Sequence, residues 1–154
     1  MQRYKVWNNE VKEFVDSPVV SFYPDGSVKV VQQQSEAHIP NCRIFDWTEC
    51  YDKNNIPIYE GDILRLEIGE DEYEYFLASK GQGKFDDSHY LYRGFFVEQY
   101  INGDMAQSNE RLMIAMDNPK NMYPVSRSAE VIGDIMTQPQ FFNPTMNSEF
   151  KLRR

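Results

Sequence analysis

Two runs of alternating apolar residues, Leu64-Arg65-Leu66-Glu67-Ile68 and Tyr73-Glu74-Tyr75-Phe76-Leu77, stand on either side of the polar turn Gly69-Glu70-Asp71-Glu72. Period-two alternation across a short turn is the pattern of an antiparallel hairpin. Counting out from the turn pairs Ile68 with Tyr73, Leu66 with Tyr75 and Leu64 with Leu77, so apolar meets apolar along the whole ladder. A second hairpin is written from Pro18 to Val31, where two β-rich runs flank Pro24-Asp25-Gly26. Proline presets φ, the aspartate turns its carboxylate back on its own backbone, and glycine takes the left-handed position. Composition agrees: 14% of the residues are aromatic, and eight Gly and eight Pro supply the breaks that many short strands need. The chain reads as all-β, barrel-like and built from hairpins, with at most one or two short helices.

Between and beyond the hairpins the pattern is less regular. Arg3 to Trp7 and Ile44 to Thr48 read as strands, and Gln32 to Glu36 as a polar connection. Asp52-Lys53-Asn54-Asn55 is a reversal in which Asn suits a left-handed residue. Ile58-Tyr59-Glu60-Gly61-Asp62-Ile63 follows as the start of a strand. There Gly61 permits the backbone turn, Asp62 caps free amides, Ile58 and Ile63 pack inward, and Tyr59 offers an apolar ring with a polar tip. Gly81 to Lys84 reads as a loop, and Tyr90 to Tyr100 as one or two strands with a bulge at Gly94. Ser108 to Met116 fits either a short helix capped by Ser108 or a strand, ended by Asn118-Pro119. Ala129 to Met136 is a closing strand that stops near Pro139, and its Ile132-Gly133-Asp134-Ile135 echoes Glu60-Gly61-Asp62-Ile63. The expectation is one domain over 1–142, then a polar tail over 143–154 that ends in Lys151, Arg153 and Arg154.

The segment Thr48-Glu49-Cys50-Tyr51-Asp52-Lys53-Asn54-Asn55, followed by Ile58-Tyr59-Glu60-Gly61-Asp62-Ile63, resembles the signature of the YopX family of phage and prophage proteins. That signature reads approximately Thr-Gly-Leu-x-Asp-Lys-Asn-Gly-x-x-Ile-Tyr-Glu-Gly-Asp-Ile. Glu130-Val131-Ile132-Gly133-Asp134-Ile135, with Pro139 after it, is similar to the family's closing Glu-Val-Ile-Gly-Asn-Ile. Two departures stand out: Glu49 and Asn55 occupy positions where the family carries Gly, so the geometry of the reversal is expected to differ. The resemblance implies a mainly β, barrel-like fold. It marks Asp52, Ile58, Tyr59, Glu60, Gly61, Asp62, Ile63, Val131, Ile132 and Gly133 as a structural motif. It implies no catalytic residue, since the family's activity is itself uncharacterised.

Charge and residue inventory narrow the chemistry. The net charge of −8 repels phosphate backbones and anionic membranes. The N-terminus lacks the apolar core of a signal peptide, and no run approaches the length of a membrane span, so the cytoplasm of a bacterial host is the expected location. His38, Cys42, Cys50 and His89 have no zinc spacing, and the acids around Glu70 lack a calcium loop, so neither metal nor cofactor is expected. Two cysteines in that compartment read as reduced thiols. No nucleophile–base pair or phosphate loop is singled out, so no catalytic residue is assigned. The favoured function is a non-enzymatic accessory module that binds a protein partner or self-associates. One alternative is a single-stranded nucleic-acid binder that stacks bases on Tyr90, Tyr92, Phe95, Phe96 and Tyr100, with Arg93 on phosphate. An enzyme of unknown type, using the acids, is the other.

Overall fold

A computed structural model describes residues 2–35, 37–84, 91–102 and 113–138. It is an all-β chain with one short helix among the described residues, so the all-β expectation holds. Contacts divide it into two compact units, Met1–Trp47 and Thr48–Arg154. The boundary falls inside a single strand, a division not drawn by the one-domain reading of the sequence.

The first unit holds β1 (Tyr4–Asn8), β2 (Glu13–Phe14), β3 (Pro18–Phe22), β4 (Val28–Gln32) and the start of β5 (Cys42–Tyr51). β1 lies between β2 and β5, antiparallel to both, with Val6 opposite Ile44 and Trp7 opposite Phe14. Trp7 meets Phe14 edge-on at 5.0 Å, and Phe14 meets Phe45 at 6.3 Å, which makes an aromatic ladder across the three strands. β3 and β4 form the hairpin read from the sequence. Gly26 has φ +86, and the Asp25 carboxylate accepts the Ser27 N–H and hydroxyl. Those bonds from Ser27 hold the Asp25 carboxyl below its ordinary range.

The second unit contains the end of β5, then β6 (Pro57–Tyr59), β7 (Asp62–Gly69), β8 (Glu72–Lys84), β9 (Leu91–Asn102), β10 (Met113–Asn121), α1 (Met122–Ser126) and β11 (Glu130–Asp134). Five strands form one antiparallel sheet in the order β10-β9-β8-β7-β11. One face carries Leu64, Phe76, Ala78 and Val97, which pack with Ile58, Met122, Val125 and Ala129 into the core. The other face is also closed, with Ile63, Tyr75, Leu77 and Tyr100 buried.

That two-sided burial explains the main correction. The β7–β8 register is Ile63 with Leu77, Leu64 with Phe76, Arg65 with Tyr75 and Leu66 with Glu74, one residue away from the pairing read off the sequence. With both faces buried, alternation no longer fixes the register. The turn fixes it instead: Asp71 is left-handed at φ +56, the ladder slips between Glu67 and Gly69, and Ile68 is left exposed.

Other readings also move. Gly81 to Lys84 is not a loop but the end of β8, in continuous register with β9. Gly94, at φ +94, sits opposite Gly81 without interrupting that register, so it marks a twist rather than a bulge. The slip lies in β10, between Ala115 and Pro119. Residues 113–116 are strand, not helix, and Pro119 lies within β10 because an edge strand tolerates a missing donor. Residues 108–112 lie outside the described residues, as do Pro139 and the 143–154 tail.

Candidate functional site

The motif residues converge on one corner of the second unit. Asp52, 4% exposed, accepts the Asn54 and Ile56 amides on Oδ1 at 2.8 and 2.9 Å and the Val131 amide on Oδ2 at 2.9 Å. The main chain adds a parallel tie, from Lys53 N–H to the Ala129 carbonyl at 2.9 Å. One carboxylate therefore closes its own reversal and fastens it to β11. Thr48, on β5, donates its hydroxyl to the Ile58 carbonyl at 2.6 Å and accepts the Cys50 amide, which sets β6 beside β5.

Asp62 works on the next turn. Its Oδ2 accepts the Tyr59 amide at 2.8 Å across Glu60 and Gly61, and Gly61 is left-handed at φ +91. Gly61 N–H donates to the Ala78 carbonyl, and its own carbonyl accepts from Ile135 N–H. Ile58 and Ile63 are fully buried and Tyr59 nearly so, and that burial lifts the Tyr59 hydroxyl above its ordinary range. Val131, Ile132 and Gly133 lie on or beside β11 with intermediate burial.

The two Gly-Asp-Ile copies are neighbours, with Asp134 opposite Asp62 and Gly133 opposite Ile63. The second copy is the end of a strand, not a start. Its Asp134 carboxylate accepts the Met136 and Thr137 amides and the Thr137 hydroxyl.

The end of β5 and the reversal after it also form the wall of a cleft. Glu49, Cys50, Tyr51, Asp52, Lys53 and Asn55 face Tyr123, Ser126 and Arg127 of the α1 region across about 350 Å³. A second cleft of about 440 Å³, lined by Thr48, Phe95, Met122 and Pro124, adjoins it and shares Cys50 and Tyr123. Tyr123 stands 63% exposed, Tyr51 in the same lining is exposed too, and the Arg127 guanidinium lies 5.6 Å from the Tyr123 ring. Among the described residues neither Lys53 nor Arg127 has an ion-pair partner. Arg65 and Glu130 do pair across β7 and β11; the bond from Arg65 depresses the Glu130 carboxyl and raises the Arg65 guanidinium.

Sequence reasoning missed the α1 side of this cleft. Five residues that include Pro124 give no helical periodicity, and proline is accommodated because the first turn of a helix leaves its N–H groups unbonded.

The proposed stacking residues are placed differently from one another. Phe96 and Tyr100 are 7% and 1% exposed, so these two rings present no open face for bases, whereas Phe95 is half-buried, packed against the core cluster and lining the second cleft. Tyr92 and Arg93 lie on β9, and Tyr90 lies outside the described residues. Among the possible ligands of soft metals, His38 is exposed on an isolated bridge to Val31, Cys42 and Cys50 are separate free thiols, and His89 lies outside the described residues. No group of three potential metal ligands occurs among the described residues, and no helix there is long and apolar enough to cross a membrane.

No protein-family model matches the chain, and no curated protein matches it. Among solved structures it is similar to the crystal structure of protein EF1440 from Enterococcus faecalis. The identity is 16%, the match covers 89% of this chain and 94% of that one, and the TM-score is 0.45.

Proposed function

We propose that this chain is a non-enzymatic accessory module of phage or prophage type, related to the YopX family, that binds a protein partner in the host cytoplasm. The binding site in this reading is the cleft between the 49–55 reversal and α1. One observation carries it: the motif's aspartates spend their oxygens on main-chain amides, while the same segment presents the wall of an open, tyrosine-rimmed cleft. Buried acids committed to backbone amides build shape rather than perform proton transfer. Exposed tyrosines beside an arginine are the side chains most often found at the centre of protein contacts.

The family relationship draws support from the two departures in the reversal. Glu49 has φ +64 and Asn55 φ +62. Both positions at which this chain departs from a signature Gly are therefore left-handed here, so that, against the expectation of a different geometry, the segment keeps a glycine-type backbone with other residues.

The test is a cross-linking pull-down from nuclease-treated bacterial lysate, with the native chain and a Tyr123→Ala/Arg127→Glu variant. A protein captured by the native chain and lost in the variant supports the reading. Capture that needs intact nucleic acid, or that is equal for both proteins, contradicts it.

A further inference from the structure

The second unit covers its sheet edges with chemistry, and the first unit leaves one bare. Along β11 the Val131 amide is taken by Asp52, and the Ala129 carbonyl by Lys53. The opposite edge strand, β10, carries Pro119. In the first unit the outer side of β4 is closed by Gln32 N–H to the Ala37 carbonyl and Ile39 N–H to the Val30 carbonyl.

β3 differs. Tyr23 N–H bonds the Ser27 carbonyl and Gln33 N–H the Ser17 carbonyl, and these bonds bracket the hairpin. The antiparallel pairing between them turns Val19 and Ser21 toward β4 and the main-chain groups of Val20 and Phe22 outward. Among the described residues nothing pairs with those outward groups.

The side chains around this edge are apolar and exposed. Phe22 is 58% exposed although it packs against Tyr4 at 5.5 Å, and Val19, Tyr23 and Val28 are exposed as well. From Ser17 to Pro24 the segment carries no charge, in a chain of net charge −8. Soluble proteins ordinarily blunt such an edge with charge or proline. Here Pro18 and Pro24 only delimit it, leaving a window of five residues.

That window is complementary to itself. We propose that β3 pairs antiparallel with β3 of a second copy about a two-fold axis at Ser21, forming a homodimer. Val20 then sits opposite the partner's Phe22, so both outward residues of each chain exchange their N–H and C=O groups, four hydrogen bonds in all. On one face Val20 meets the partner's Phe22, and on the other Val19 meets the partner's Tyr23, small against aromatic each time. Pro18 falls opposite the partner's Pro24, where no donor is wasted. An unrelated protein strand would satisfy the same hydrogen bonds. The second copy is favoured because, read about Ser21, each small residue from Val19 to Tyr23 falls opposite an aromatic one of the same segment reversed. The register also brings Asp16 close to the partner's Asp25 at each end, so association tightens as salt screens the pair.

The site lies on the first unit and is independent of the cleft reading. The test is sedimentation velocity on the full chain over a wide range of concentration and two salt levels, together with Phe22→Lys, Ser21→Cys and Ser17→Cys. The expected result is a monomer–dimer equilibrium that strengthens with salt and is lost in Phe22→Lys, with thermal unfolding of that variant confirming that it folds. Ser21 faces its symmetry mate at a non-bonded pair, roughly 4.5 Å between Cα atoms, so Ser21→Cys forms a disulfide dimer with oxidised glutathione. Ser17 is roughly 27 Å along the strand from the partner's Ser17, so Ser17→Cys does not. A chain monomeric at every concentration overturns the proposal. So does a dimer that survives Phe22→Lys, or one in which Ser21→Cys does not cross-link.

Discussion

Glu60-Gly61-Asp62-Ile63 and Ile132-Gly133-Asp134-Ile135 share a Gly-Asp-Ile core and lie side by side in the sheet, yet they do different work. In the first, Gly61 is left-handed and Asp62, 2% exposed, reaches back to the Tyr59 amide and opens a strand. In the second, Gly133 is not left-handed, and a half-exposed Asp134 reaches forward to Met136 and Thr137 and closes one. What separates them is the neighbourhood: the first follows a reversal held by Asp52, and the second precedes a turn whose Ile135 is buried and bonded to Gly61 while Thr137 is exposed. The lesson is that a short motif states which bonds are available, and its surroundings decide which are made.

The comparison can be broken most severely at Asp52, which fastens the first corner to the strand carrying the second. Asp52→Ala leaves three amides without an acceptor and is expected to cost about 3–5 kcal/mol in chemical denaturation, since each orphaned buried donor costs about 1–3 kcal/mol. Asp62→Ala should follow at about 2 kcal/mol, and Asp134→Ala at about 1 kcal/mol, the ordinary worth of an exposed cap. Equal losses at the two aspartates would erase the distinction between the copies. The glycines sharpen it. Gly61→Ala should cost about 1–2 kcal/mol for the left-handed backbone. Gly133→Ala meets only the movable Gln138 side chain, so Gln138→Ala in the same chain should rescue it. At Glu49 the sign reverses: Glu49→Gly relieves a left-handed glutamate and should raise stability by about 0.5–1 kcal/mol, read as a higher denaturation midpoint.

The smallest effect concerns pH. Arg65 depresses the folded-state Glu130 carboxyl, so this group's contribution is present above the ordinary glutamate range and fades as pH falls through the lowered value. Native protein should therefore exceed Glu130→Gln in stability near neutrality, by well under 1 kcal/mol because the pair is partly solvated, and the gap should close in acid.

Much of the local fold is legible in the sequence. Pro24-Asp25-Gly26 specifies its hairpin through turn chemistry that needs no distant partner, and Asn55 declares its left-handed backbone in the same way. The register of β7 on β8 is not legible, because Ile63 and Leu64 are both buried and alternation loses its meaning. Gly81 and Gly83 look like a loop and run as strand, since glycine permits either and the β9 partner decides. The site is half legible: its motif wall is local, but α1 is too short to show a period, and the Asp52–Val131 bond joins residues 79 apart. Long-range bonds of that kind depend on topology, to which spacing along the chain gives no access.

Asp52 holds the reversal against β11 through the Val131 amide, and its oxygens are committed to main-chain donors. Residue-resolved hydrogen exchange on native protein and Asp52→Ala, which removes both acceptor oxygens, is the test. The account predicts that the Val131, Asn54 and Ile56 amides lose protection together in the variant while the β8–β9 ladder keeps its own. An unchanged Val131 amide in a folded Asp52→Ala protein would contradict it.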